Sequence, residues 1–386
     1  MAGVLDTIRG GFRGTDDQHR VTTLELLFDL VFVFAITNVT ALVAHDVTGT
    51  TVLEGLIVLA LIWFGWCAYA WLGNQAKADE GLLRIAVMVA MAGMFFVAIA
   101  IPHAFAHDGN AAGVLVAAYA VVRLTHIVVY LITTGDDRQQ RSVLLAMLGV
   151  ASLMLALLTV GAVVGGDAQR WWWLGGVVVD QLGVYFVRST RWQLNSASHF
   201  AERFGLIVII AIGESVVAIG TASSSASIGL SDAVALLCGL VVAVVLWRLY
   251  FDVAAPAADE VLLESQGVER IRLGRDAYTY IHFPMVVGIE FVALGLEILI
   301  ADDGQLRAGR AALLGGVACY LLGHLLFRRR NGGPANVPAI VATVVFVLAI
   351  PLVRTVRPLP ILIGAAVALL ALATVEARVA EADPTI

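Results

Sequence analysis

Glu25 and Asp29 stand one helical turn apart inside the apolar run E-L-L-F-D-L-V-F-V-F-A-I-T-N, which spans residues 25–38. A carboxylate within hydrocarbon costs roughly 2.5–3.5 kcal/mol or more, so it faces the protein interior and seeks a partner. Spacing of i, i+4 puts both acids on one helical face. Two acids held together in a dry place can exchange protons or bind a cation. Further along, Tyr119, Arg123, His126 and Tyr130 form a polar stripe on an otherwise apolar helix. At about 1.5 Å per residue, Asp29 and His126 lie at similar depths, roughly 8 and 10 Å from the same membrane face. Depth matching therefore predicts that Asp29 pairs with Arg123 or His126.

Other ionisable groups fall in later apolar runs. His199, Glu202 and Arg203 open the segment H-F-A-E-R-F-G-L at a membrane edge. Glu214, between Gly213 and Ser215, is eleven residues deeper, where a glycine permits close helix approach or an unwound turn. His282 and Pro284 open another segment, with Glu290 near the midplane and Glu297 on nearly the same face. Asp180 and His324 are secondary candidates. Glu214 and Glu290 are the expected carriers of a proton or cation.

These side chains must be positioned by membrane-crossing helices. The chain has 386 residues, 60% hydrophobic and 14% charged, with a mean hydropathy of +0.90. Soluble domains carry about 25% charged residues. Twelve apolar segments are each near the length a bilayer demands: 24–44, 52–73, 82–102, 111–133, 143–164, 171–188, 203–223, 230–250, 278–300, 307–327, 335–354 and 358–376. The fold class expected is an all-α polytopic membrane protein with about twelve transmembrane helices. No removable signal peptide is expected at the N-terminus.

Basic residues set orientation. They concentrate before the first span (Arg9, Arg13, Arg20) and after even-numbered spans (Lys77; Arg138 and Arg141; Arg188 and Arg191; Arg270, Arg272 and Arg275; Arg328, Arg329 and Arg330). Fewer follow odd-numbered spans: Arg170, Arg307, Arg310, Arg354 and Arg357. Both termini are thus expected in the cytoplasm, with Trp171, Trp172 and Trp173 as an anchor at the opposite interface.

Part of the sequence repeats. Residues 28–36 align with 204–212, residues 93–98 with 288–293, and residues 115–126 with 313–324, which pairs His126 with His324. Spans 1, 3 and 4 thereby match spans 7, 9 and 10, a 6+6 internal repeat whose halves insert in parallel. The organisation expected is a tail over 1–23, a first half over 24–188, a cytoplasmic joint over 189–202, a second half over 203–376 and a tail over 377–386. A long loop over 251–277 absorbs the difference in length.

Several chemistries lack their signatures. There is no G-x-x-x-x-G-K-[ST] phosphate loop, no H-E-x-x-H and no G-x-S-x-G. Cys67, Cys238 and Cys319 are scattered through apolar runs and suggest neither a disulfide framework nor a metal site. No cofactor, metal or catalytic set is expected, and nothing points to nucleic acid. The partners expected are the lipid bilayer and a small solute or ion, with protons a candidate.

The runs E-L-L-F-D-L-V-F-V-F-A-I-T, H-F-A-E-R-F-G-L-I-V-I-I-A-I-G-E-S-V-V-A-I-G and Y-I-H-F-P-M-V-V-G-I resemble the bacterial low temperature requirement protein A family. The resemblance extends from Glu25 into the last spans. It implies a multi-pass protein of the bacterial plasma (inner) membrane, associated with growth in the cold, and it carries no settled activity. It singles out Glu25, Phe28, Asp29, Glu202, Arg203, Gly205, Glu214, His282 and Pro284 as motif positions.

The expected function is secondary transport between two six-helix halves, with protons as a candidate coupling ion. An alternative is an intramembrane enzyme acting on lipids or lipid-linked groups, with Glu25 and Asp29 as acid–base partners of His126 or His282. A third is a non-catalytic sensor or scaffold. A transporter predicts gradient-driven flux that is lost on neutralising an acid, whereas an enzyme predicts an altered lipid profile.

Overall fold

The computed structural model describes residues 20–75, 78–106, 109–133, 138–186, 194–222, 229–301 and 304–382, without the side chains of 133, 138–140 and 379–382. Among the described residues the chain is helical, with no strand. The helices are α1 (Thr23–Ala44), α2 (Gly49–Gln75), α3 (Gly81–Ala100), α4 (Ala111–Thr133), α5 (Arg138–Val164), α6 (Gly166–Phe186) and α7 (Ala197–Ala222). They continue as α8 (Leu230–Arg248), α9 (Ala255–Glu264), α10 (Gly267–Leu273), α11 (His282–Ala301), α12 (Leu306–Arg330), α13 (Val337–Leu352) and α14 (Pro358–Ala382).

Ten helical stretches among the described residues are long and apolar enough to cross a membrane. Every expected apolar segment coincides with a helix, but two fall outside those ten. One is α6, which carries Asp167, Arg170 and Asp180; the other is α13, with 16 residues. The expected loop over 251–277 is instead largely helical. It runs through a π-helical turn (Leu249–Ala254), α9, α10 and a second π-helical stretch (Gly274–Ile281). Alanine-rich A-A-P-A-A-D-E-V-L-L-E favours helix, and its Pro256 sits in the first turn, where a missing N–H costs nothing.

The chain divides into two compact units, Met1–Arg203 and Phe204–Ile386. In the first, α1 packs on α2 and α3, α3 on α4, α4 on α5, and α5 on α6, while α6 returns to α2. α2 is the most enclosed of them: Trp63, Trp66, Tyr69 and Trp71 are all buried. Only Gly165 separates α5 from α6, and both it and Gly166 have positive φ (65° and 57°), a conformation glycine adopts without steric cost. Trp173 is core, its Nε1–H donating to the Leu158 carbonyl (2.9 Å), and it lies against Gly161. Trp171 and Trp172 are exposed. Of the three indoles expected at an interface, Trp173 does not face outward, because helical rotation turns it into the core.

In the second unit, α11 and α12 pack closely, α12 carries α13, α13 meets α14, and α14 returns to α8. The α11–α12 contact is backbone against backbone. A Cβ on Gly316 would lie 2.6 Å from the Val292 nitrogen, and one on Gly288 would strike the backbone of Tyr320. Small residues permit this approach in lipid, where van der Waals packing has to hold helices together.

Candidate functional site

The strongest concentration of buried charge lies in the first unit, where α1, α2 and the start of α7 meet. Thr22 caps α1 through a capping box: its hydroxyl accepts from the Glu25 N–H (3.3 Å), and Glu25 Oε2 accepts from the Thr22 N–H (2.9 Å). The cap fixes the Glu25 carboxylate at the helix entrance, and the next turn brings Asp29 beneath it. Both acids are buried, Asp29 completely.

Arg203 bridges them. Its Nη1 donates to Glu25 Oε1 (2.7 Å) and its Nη2 to Asp29 Oδ1 (2.6 Å). Trp66 Nε1–H donates to the same Asp29 oxygen (2.7 Å), and its ring lies 5.6 Å from the Arg203 guanidinium carbon. His199, one turn before Arg203, places Nε2 3.1 and 3.2 Å from the two Glu25 oxygens. Such charge-assisted bonds are the strong ones.

α2 makes room for the cluster and braces it. A Cβ on Gly73 would sit 2.7 Å from Glu25 Oε1, so the carboxylate occupies space that only glycine leaves. Asn74, fully buried, grips the residues that lead into α7. Its Oδ1 accepts from the Asn195 N–H (2.8 Å), and its Nδ2 donates to the Ser196 carbonyl (2.5 Å). Ser196 Oγ then accepts from the His199 N–H (3.2 Å).

The expected pairing of Asp29 with Arg123 or His126 is not the one formed. Arg123 Nη2 donates to Asp180 Oδ1 (2.6 Å), linking α4 to α6, while Asp29 bonds Arg203 and Trp66. Depth along a helix axis does not select a partner; the azimuth of each helix does. His126 is buried between the rings of Tyr69 and Tyr130, at 5.5 and 5.0 Å. The histidine that meets Glu25 is His199. Glu202 is exposed and accepts from the Val21 N–H (3.3 Å). A further ion pair, Arg170 Nε to Glu54 Oε1 at 3.1 Å, ties α6 to α2 near their first turns.

In the second unit, Glu214 and Glu290 are buried and Glu297 is half-buried. His282 is fully buried in a cage of Tyr250, Tyr278, Phe204 and Phe327. Its Nδ1 lies 2.9 Å from the Ala277 carbonyl and its Nε2 2.9 Å from the Tyr250 hydroxyl. A carbonyl only accepts, so Nδ1 carries hydrogen; with the ring neutral, Nε2 accepts from the Tyr250 hydroxyl. The two π-helical stretches bring Tyr250 and Tyr278 to this histidine, and π turns often mark functional sites. His324 bonds the Leu249 carbonyl through Nε2 (3.0 Å).

Sequence reasoning missed Trp66, Gly73 and Asn74 as parts of the site and placed His199 only at a membrane edge. The T-x-x-E capping signature at Thr22–Glu25 was legible. An asparagine closing an otherwise apolar helix was the other available signal. Among the described residues, no group of three or more His, Cys, Asp and Glu could hold a metal ion.

No solved structure matches the chain. An uncharacterised protein of Rhizobium meliloti (strain 1021) is 28% identical over 327 residues, covering 81% of this chain and 78% of that protein. The family described as bacterial low temperature requirement A protein (LtrA) matches residues 20–374, which include both acids, the bridging arginine and the caged histidine. This multi-helix membrane protein therefore belongs to the bacterial low temperature requirement A family.

Proposed function

We propose that the protein is a proton-coupled secondary carrier of the bacterial inner membrane, with the cluster of Glu25, Asp29, His199 and Arg203 as its proton-exchanging centre. The observation that carries this reading is the charge count. Two buried carboxylates share one guanidinium, so a neutral cluster needs one further proton, and burial makes an uncompensated charge costly. A site that is neutral when protonated and charged when not can couple proton movement to a change of conformation.

The carrier has twelve spans as two parallel six-helix repeats, both termini in the cytoplasm, in this reading. Matching contacts within each unit support the repeat. Gly93 of α3 abuts Ala118 and Val122 of α4, and the aligned Gly288 of α11 abuts Gly316 and Tyr320 of α12. Helix pairs α3–α4, α4–α5, α5–α6 and α2–α6 recur as α11–α12, α12–α13, α13–α14 and α8–α14. Parallel repeats of this kind are a common carrier design. Glu214 and Glu290 are the corresponding candidates in the second unit.

The test is proton movement into proteoliposomes under an imposed pH gradient, followed by an internal dye. Wild type should dissipate the gradient faster than empty liposomes, and Glu25→Gln, shown to be folded and inserted, should not. Wild-type rates equal to those of empty liposomes would end the proton-coupled reading.

A further inference from the structure

We propose that Asp29 Oδ2 is the atom that binds the cluster's extra proton, and that Asn74 denies that proton to His199. This rests on the proton-coupled reading above and names the site within it.

The orientation of the Asn74 amide is forced by backbone groups. Oδ1 faces the N–H groups of Asn195 (2.8 Å) and Ser196 (3.4 Å), which only donate. Nδ2 faces the Ser196 carbonyl, which only accepts. The second hydrogen on Nδ2 then points at His199 Nδ1, 3.5 Å away. A ring nitrogen opposite a donor presents its lone pair, so the hydrogen of the neutral imidazole resides on Nε2 and is donated to Glu25. Protonating Nδ1 would set two donors against each other and loosen the Asn74 bracket on residues 195 and 196.

Glu25 is equally unable to take the proton. Its oxygens accept from the Thr22 N–H and hydroxyl, His199 Nε2 and Arg203 Nη1, and an added hydrogen would displace one of these donors. Asp29 differs. Its Oδ1 accepts from Trp66 and Arg203, while Oδ2 is buried with no hydrogen-bond partner among the described residues. An ionised oxygen in that position is costly, and a neutral carboxyl lowers the cost. The groups that meet Asp29 are Trp66 from α2 and Arg203 from α7, and the same guanidinium holds Glu25 of α1, which His199 also meets. With Oδ2 protonated, Glu25 and Arg203 balance.

The test is infrared titration of the full chain in liposomes, with side-chain carbon-13 aspartate. At neutral pH a protonated-carboxyl stretch should be present, shift with labelled aspartate and not with labelled glutamate, and vanish in Asp29→Asn. If Asp29→Asn does not fold, Asp29→Glu should move the band from the aspartate label to a glutamate label. In nitrogen-15 histidine spectra, His199 should be neutral in wild type and become imidazolium in Asn74→Asp. A band that is absent, indifferent to labelled aspartate or retained in Asp29→Asn overturns the assignment, as does an imidazolium at His199 in wild type. Flux without the aspartic-acid band would end this assignment and leave the carrier standing. The band without flux would do the reverse.

Discussion

The two units solve the same packing problem with different chemistry. In the first, helices are joined through charge: Glu25 and Asp29 to Arg203, Arg123 to Asp180, and Arg170 to Glu54. In the second, α11 and α12 meet backbone to backbone at Gly288 and Gly316. Buried aromatic and imidazole groups there make neutral bonds, Tyr250 to His282 and Tyr320 to the Leu246 carbonyl (2.6 Å). At aligned positions, Asp29 of the first unit corresponds to Gly205 of the second. Charge is costly in lipid and responds to protons, whereas glycine packing does neither. On the proposed reading, the first unit carries the groups that respond to protons.

Variants can break that contrast, and the native thiols report where. Cys67 is buried in the first unit, and Cys319 lies in the second, beside Tyr320. The largest effect should come from Arg203→Met, which strands two buried carboxylates and should cost about 3–5 kcal/mol. Cys67 should then label much faster while Cys319 changes little, and equal acceleration of both would contradict the division of labour. Next comes Trp66→Phe, which removes a donor to Asp29 and should cost about 1.5–3 kcal/mol, read as a lower midpoint of unfolding in detergent.

Gly73→Ala and Gly288→Ala give a matched pair, each about 1–3 kcal/mol from overpacking. Gly73→Ala presses on the Glu25 carboxylate and should expose Cys67, while Gly288→Ala pushes on the α12 backbone and should expose Cys319. Opposite labelling patterns would refute the separate roles of the two glycines. The smallest effect is expected for Tyr250→Phe. A neutral helix–helix bond in a membrane protein is worth about 0.6 kcal/mol, so its midpoint should barely move. A loss matching that of Arg203→Met would mean that the His282 cage is as demanding as the ionic cluster.

The sequence by itself determined the helical class, the apolar segments and the identity of most ionisable groups in the site. These follow from one-dimensional rules: hydrocarbon requires about twenty apolar residues per helix, and a charge inside such a run must turn inward. Glu25, Asp29 and Arg203 were legible for that reason. Only the tertiary structure decided the partners. Asp29 could have met Arg123 by depth, but depth leaves rotation about the helix axis free. The packing of α1 against α2 turned its acids toward Trp66 and Arg203, while Arg123 faced α6 and Asp180. The parts played by Gly73 and Asn74 were equally out of reach, because a missing side chain and a neutral amide acquire meaning only from what lies across from them.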